Sequence, residues 1–301
     1  MNDAHCHFFS RPFFAALGHA LGDAGPAPPD EAALARLGWE PPGSAEQLAD
    51  RWIDELDRHQ VARAALIASV PGDTGSVAAA VRHRPRRFVG FAMVDPTASG
   101  QAAEALRQPE VSALCLFPAL HGYSLSDPSV LAVVKASAAR PGTAVFVHCG
   151  VLSIGVRSKL GLSNSFDARR GNPLDLQPVA AVCPSVPIIV PHFGAGFFRE
   201  ALMLAAACPN VVFDTSSSNG WMRYHPGLTL PAVLERALDV LGPGRLLFGS
   251  DSSFFPRGWV ADVATAQRAA LNQIGADPTV VERIFTGNFE RLFPAERASS
   301  T

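Results

Sequence analysis

Short apolar runs recur along the chain, and longer stretches with helical spacing separate them. The runs span 2–8, 64–69, 88–94, 112–117, 144–149, 186–192, 210–215 and 245–251. Most are apolar at consecutive positions, as expected of parallel strands buried on both faces. The stretches between them are amphipathic. In 45–59, Leu48, Trp52, Ile53 and Leu56 fall on one helical stripe. Segments 129–139, 199–207, 230–241 and 260–274 have similar spacing. Several open on helix-start signals: Ser126 or Asp127 ahead of Pro128, and Thr229 ahead of Leu230 and Pro231. Strands alternating with helices in this way predict an α/β fold, a single (β/α)8 TIM barrel over 1–301 with a frayed tail at 294–301. An open doubly wound sheet would carry a glycine-rich phosphate loop after its first strand. Here that strand runs into His7, Phe8 and Phe9.

Two connections break the rhythm. Residues 10–44 follow the first strand and hold Pro26, Pro28, Pro29, Pro41 and Pro42. Residues 151–177 follow the fifth and carry Arg157, Lys159, Arg169 and Arg170. Both leave the C-terminal ends of strands, where barrel active sites lie. They are expected to be long loops forming the lid and wall of a substrate pocket.

Composition narrows the class. A chain of 301 residues suits a barrel, which needs about 250. With 48% hydrophobic and 17% charged residues it can fill a sizeable core, which argues against disorder. The net charge of −2 and scattered basic residues give no nucleic-acid footprint. No apolar run reaches membrane-span length, and no leader pattern opens the chain. The five cysteines are widely spaced without a C-x-x-C pair, so buried free thiols are expected. These features predict a cytoplasmic enzyme with a small-molecule substrate and no nucleic-acid or membrane partner. A homodimer is compatible with exposed barrel helices.

The candidate chemistry sits at the ends of the runs. Successive side chains on a strand point to opposite faces, so His5 and His7 share one face and Cys6 takes the other. Two imidazoles on the barrel interior can converge on one ion. His148 ends the fifth run, His192 the sixth and Asp251 the eighth. Each alone has an ordinary structural explanation. Asp251 in Gly-Ser-Asp-Ser-Ser could cap a helix, for instance. Their joint placement at C-terminal strand tips is hard to obtain by accident.

The residues Asp-x-His-x-His at 3–7, Phe-Val-His-Cys-Gly at 146–150, Pro-His-Phe-Gly at 191–194, Phe-Gly-Ser-Asp at 248–251 and the segment 284–293 run in one order across nearly the whole chain. In this the sequence resembles the amidohydrolase-related branch of the amidohydrolase superfamily, which includes the aminocarboxymuconate-semialdehyde decarboxylase group. The resemblance implies one divalent metal ion on His5, His7, His148 and Asp251. Zinc is expected first, and manganese or iron also suit these ligands. His192 is then a further ligand or the acid/base, with Asp251 as its catalytic companion. Many relatives bridge two metals with a strand-four lysine. This chain has only Lys135 and Lys159, neither on that run, and Cys115 stands near the place, read as a buried inert thiol. A single metal is therefore expected.

Arg157, Arg169, Arg170 and Arg223 fall on connections after the fifth and seventh runs and are candidates for holding a substrate carboxylate in bidentate fashion. Three functions compete. The first is hydrolysis of a small-molecule amide, ester or lactone through metal-activated water. The second is metal-dependent, non-oxidative decarboxylation of an aromatic or unsaturated carboxylic acid. The third is a barrel that binds metal or ligand without catalysis, which would be marked by loss of a ligand or of the acid/base.

Overall fold

The computed structural model describes residues 1–22, 26–216, 220–255 and 257–295. Residues 296–301 of the expected frayed tail lie outside them. Eight parallel strands form one sheet in chain order: β1 (Asn2–Phe8), β2 (Arg63–Ala68), β3 (Phe88–Met93), β4 (Val111–Leu116), β5 (Ala144–Val147), β6 (Ile188–Pro191), β7 (Val211–Asp214) and β8 (Leu246–Leu247). The eighth strand closes on the first. Ala4 N donates to Phe248 O at 2.9 Å, Asp251 N to His5 O at 3.0 Å, and His7 N to Ser252 O at 2.7 Å. The predicted (β/α)8 barrel is thus present. β8 keeps regular pairing for only two residues, and four residues beyond it Asp251 has a φ of +59°.

Alternation along the strands sorts the core into two layers. Ala65, Ile67, Phe91, Met93, Cys115 and Phe146 fill the barrel interior. Leu66, Leu114, Val145 and Val190 point outward, against the helices. The helix Ala45–Arg58 supplies Trp52 and Leu56 to that outer layer, both fully buried. Its start is fixed by a capping box between Ser44 and Gln47. The end of the barrel away from the strand tips is plugged by Phe289 and Phe293. Arg63 fastens the plug, donating to Phe293 O at 2.6 Å and lying 5.2 Å from the Phe289 ring centre. Only the C-terminal face is left for a site.

The connections after β1 and β5 differ from the loops expected. The first holds the helices Arg11–Ala20 and Pro29–Leu37, and the second a short helix, Gly155–Lys159, followed by 3-10 turns. The prolines misled because Pro12 and Pro29 sit in first helical turns, where a missing N–H costs nothing. Phe13, Phe14, Leu17, Ala33 and Leu34 of the first insertion pack with Val156 and Leu160 of the second into a small separate core. In a ring of eight strands β1 and β5 stand opposite one another. Their insertions can meet only by crossing the barrel mouth, so together they form a roof. Trp39 stacks on Phe254 at 4.0 Å, and Lys159 Nζ lies 5.2 and 5.3 Å from the two ring centres. That contact ties both insertions to the segment following β8.

Candidate metal centre

His5 and His7 project into the barrel as their spacing predicts, and Cys6 is buried in the outer layer. The two Nε2 atoms lie 3.4 Å apart. Asp251 Oδ1 is 3.5 Å from His5 Nε2 and 3.4 Å from His7 Nε2. The opposite ring edges are committed elsewhere. His5 Nδ1–H donates to Asp214 Oδ2 at 2.6 Å, and His7 Nδ1 pairs with Ser69 Oγ at 3.0 Å. Both imidazoles therefore turn Nε2 towards one point beside a carboxylate. Two lone pairs this close repel unless a cation lies between them. This donor set fits a divalent metal, with outer carboxylate and hydroxyl partners fixing the ring orientation.

Charge follows the same geometry. Burial opposes charge on His5, but the Asp214 carboxylate outweighs it and raises its pKa. Burial lowers His7. Charge is thus favoured on His5 and disfavoured on His7. Burial works against ionisation of Asp251 too, yet the His7 hydrogen bond and the imidazoles of His5 and His192 hold its carboxyl well below the usual range.

His192 stands beside this group, its ring centre 5.0 Å from that of His5 and 5.2 Å from that of His148. Its Nδ1 faces Ser216, 3.2 Å from the carbonyl and 2.9 Å from Oγ. With Nδ1–H donating to that carbonyl, Nε2 keeps a lone pair. Burial lowers the pKa of His192, and burial together with His192 lowers that of His148 further. Both are neutral near pH 7. His148 Nδ1 is buried with no hydrogen-bond partner among the described residues, and its ring stacks on Phe117 at 5.5 Å.

The backbone is strained here. Among the described residues, the non-glycine positions with positive φ are Gln60, His192, Phe193, Ala195 and Asp251, and all but Gln60 lie just beyond β6 or β8. Such conformations persist where surrounding structure enforces them, and they cluster at functional sites. Gly249 is required by close approach, since a Cβ there would lie 2.4 Å from Asp214 Oδ1 and 3.0 Å from His5 Cβ.

Sequence reasoning passed over Asp214, Ser216 and Ser69, and gave Asp3 no role. Asp214 is the last residue of β7 and the acidic residue at the end of the seventh apolar run, so the rule that picked Asp251 would have found it. Asp214 Oδ1 accepts from Ser216 N at 2.8 Å while Oδ2 holds His5. Fully buried Asp3 bridges β1 and the segment after β8. It accepts from His5 N at 2.9 Å, Ser250 N at 3.0 Å and Trp259 Nε1 at 2.6 Å. Cys115 lies in the apolar interior, where burial pushes its thiol pKa far up, and all five cysteines are free and buried.

The arginines separate by position. Arg157 and Arg170 line a cavity of about 480 Å³ with His121 and Ser163. Arg169 is 90% exposed and paired with Asp167 at 2.8 Å. Arg223 is exposed and lies over the Tyr224 ring at 5.2 Å.

The family model described as Amidohydrolase matches residues 2–295. The chain belongs to the amidohydrolase family. Protein fluG of Emericella nidulans is 30% identical over 118 residues, which are 38% of this amidohydrolase but only 13% of that relative. The chain therefore corresponds to a small part of fluG. Solved structures share the fold over almost the full length. A probable 2-pyrone-4,6-dicarboxylic acid hydrolase from Acinetobacter baumannii is 17% identical with a TM-score of 0.62, covering 97% of this chain and 99% of its own. The 5-carboxyvanillate decarboxylase of Novosphingobium aromaticivorans, solved with manganese, is 15% identical with a TM-score of 0.63, covering 97% and 95%. The amidohydrolase described here shares its barrel fold with both a hydrolase and a decarboxylase. Among its described residues no helix is long and apolar enough to cross a membrane.

Proposed function

We propose that this amidohydrolase is a metal-dependent hydrolase of a small-molecule amide, ester or lactone, with one divalent ion held by His5, His7 and Asp251. The observation carrying this reading is the convergence of two Nε2 atoms and one carboxylate oxygen, all within 4.8 Å of one another, with His192 alongside. His148, just beyond β5 and beside His192, is assigned as the fourth ligand. Zinc suits this nitrogen and oxygen set. A divalent ion bound there supplies Lewis acidity and lowers the pKa of bound water towards about 7. The chain does the rest. Ser216 fixes the His192 tautomer, so the Nε2 lone pair can accept a proton and later return it to the leaving group. Asp251, ionised at neutral pH, orients the attacking water. Arg157 and Arg170 hold an acid group of the substrate. Arg169 and Arg223 stand further out, where they attract anions to the mouth.

The second reading is non-oxidative decarboxylation. It is supported by the absence of a lysine on β4, where Cys115 stands instead, and by the decarboxylase neighbour. Elemental analysis of purified protein should give close to one equivalent of divalent metal, lost in His5→Ala/His7→Ala. Metal retained by that double variant overturns the ligand assignment. A screen setting arylcarboxylic acids, followed by CO2 release, against lactones, esters and amides separates the reactions. Turnover confined to the acids replaces hydrolysis with decarboxylation.

A further inference from the structure

Two segments that carry the proposed ligands meet on one buried carboxylate. Asp3 Oδ1 accepts from His5 N at 2.9 Å and from Ser250 N at 3.0 Å. These amides belong to one ligand and to the residue before another. Asp251 N completes the link by donating to His5 O at 3.0 Å. The φ of Asp251 is +59°, a conformation that its surroundings must enforce. Strict alternation would put Asp3 on the face of His5, but β1 carries an extra residue against β2 between Asp3 and Cys6. Ala4 lies in the interior layer and Cys6 in the outer one. The bulge thus turns the Asp3 carboxylate outward while His5 points in.

In the outer layer Asp3 meets Trp259. Its second oxygen, Oδ2, accepts from Trp259 Nε1 at 2.6 Å, and both side chains are buried. Trp259 is anchored in turn. Its backbone N donates to Glu55 Oε1 at 3.0 Å, on the helix Ala45–Arg58. Gly258 permits that approach, since a Cβ there would lie 2.2 Å from Glu55 Oε1. On the other side, Val260 N donates to Ser252 Oγ at 2.9 Å, and Ser252 Oγ pairs with Ser250 Oγ at 2.6 Å. A chain of polar contacts therefore runs from an outer helix, through Glu55, Trp259 and Asp3, to the backbone of His5 and Ser250.

We infer that Trp259 is a positioning residue of the metal centre: its indole N–H aims the Asp3 carboxylate, which sets His5 and Asp251 at their common point. The inference rests on the ligand assignment made above. Neither Trp259 nor Asp3 belongs to the ligand set, so both act through the residues that do. A hydrogen bond from an N–H to a carboxylate is among the stronger kinds, and a buried site strengthens it further. Without it, Oδ2 has no fixed direction, and the carboxylate can rotate away from the two backbone amides. Both ligand-bearing segments then loosen together.

Zinc affinity of the folded protein, measured by competition with a chromophoric chelator, tests this. Trp259→Phe keeps a ring, removes the N–H and should weaken zinc binding about five- to tenfold. Trp52→Phe is the packing control. Trp52 is fully buried in the same outer layer, and its Nε1 has no partner among the described residues. That change removes similar volume and no hydrogen bond, so affinity should stay within about twofold. Asp3→Asn should weaken binding about 10–100-fold, because its amide NH2 must face either the indole N–H or the two backbone N–H groups. Adding Trp259→Phe removes the first conflict, so the double variant should bind zinc no more weakly than Asp3→Asn alone. Should Asp3→Asn fail to fold, Trp259→Phe against Trp52→Phe decides. Unchanged affinity in Trp259→Phe, or an equal loss in Trp52→Phe, overturns the inference. So do losses that multiply in the double variant. Zinc retained by His5→Ala/His7→Ala would overturn the ligand assignment itself, and this inference with it.

Discussion

The floor and the roof of the site are built by different means. The floor is the ring of strand tips, where His5, His7, Asp214, His192 and Asp251 are each held by barrel backbone and by at least one neighbouring polar group. Its side chains come from strands whose order and register are fixed by the sheet. The roof consists of the insertions after β1 and β5, which share a small core and one cation–aromatic contact with the segment after β8. Few of its side chains belong to the barrel core. A floor of this kind is pre-organised for one chemistry, whereas the roof can change with the substrate at little cost to the fold. Solved structures below 20% identity share the barrel while the substrates in their names differ.

The contrast can be broken by substitution. The largest effect is expected on the floor, where His192→Gln or Asp251→Asn should lower turnover by about 10²–10⁴-fold with the protein still folded. A smaller loss would mean that proton transfer runs through another group. Asp214→Asn comes next. It removes the carboxylate that orients His5 and should weaken metal binding by about 10–100-fold in a competition titration with a chromophoric chelator. An unchanged affinity would make Asp214 a packing residue.

Acidity tests the same pair more gently. Because the pKa of His5 is raised, a proton competes with the metal from above the ordinary imidazole value of about 6.5. Metal affinity should fall by about tenfold per pH unit as pH drops through that range. Asp251 stays ionised throughout and adds nothing. A flat profile between pH 8 and about 6 would contradict a ligating His5.

The smallest effect belongs to the roof. Lys159→Gln should cost about 0.5–1 kcal/mol in a thermal or urea unfolding measurement, the usual worth of an exposed cation–π contact. Metal content should not change. If this variant sheds metal, floor and roof are not separable.

Much of the floor was legible in the chain. Buried parallel strands read as continuous apolar runs, and a polar residue that ends such a run has nowhere to go but the barrel mouth. His5, His7, His148, His192 and Asp251 followed from that rule. Asp214 obeys it as well and was overlooked because its run carries no family motif. The roof was misread as loop because prolines at helix starts resemble prolines in loops, and because an insertion's apolar residues do not announce their partner. Val156 and Leu160 acquire a role only when Phe13, Phe14 and Leu34 lie against them.

The sequence by itself determined the barrel and which polar residues stand at the C-terminal tips of its strands. Local periodicity and strand alternation suffice for that, since both act over a few residues. Only the tertiary structure decided which nitrogens face the common point, that Asp214 and Ser69 set them so, and that Arg157 and Arg170 share a cavity while Arg169 and Arg223 turn to neighbours. Those outcomes depend on contacts between segments far apart in the chain, and no local pattern encodes where two such segments will meet.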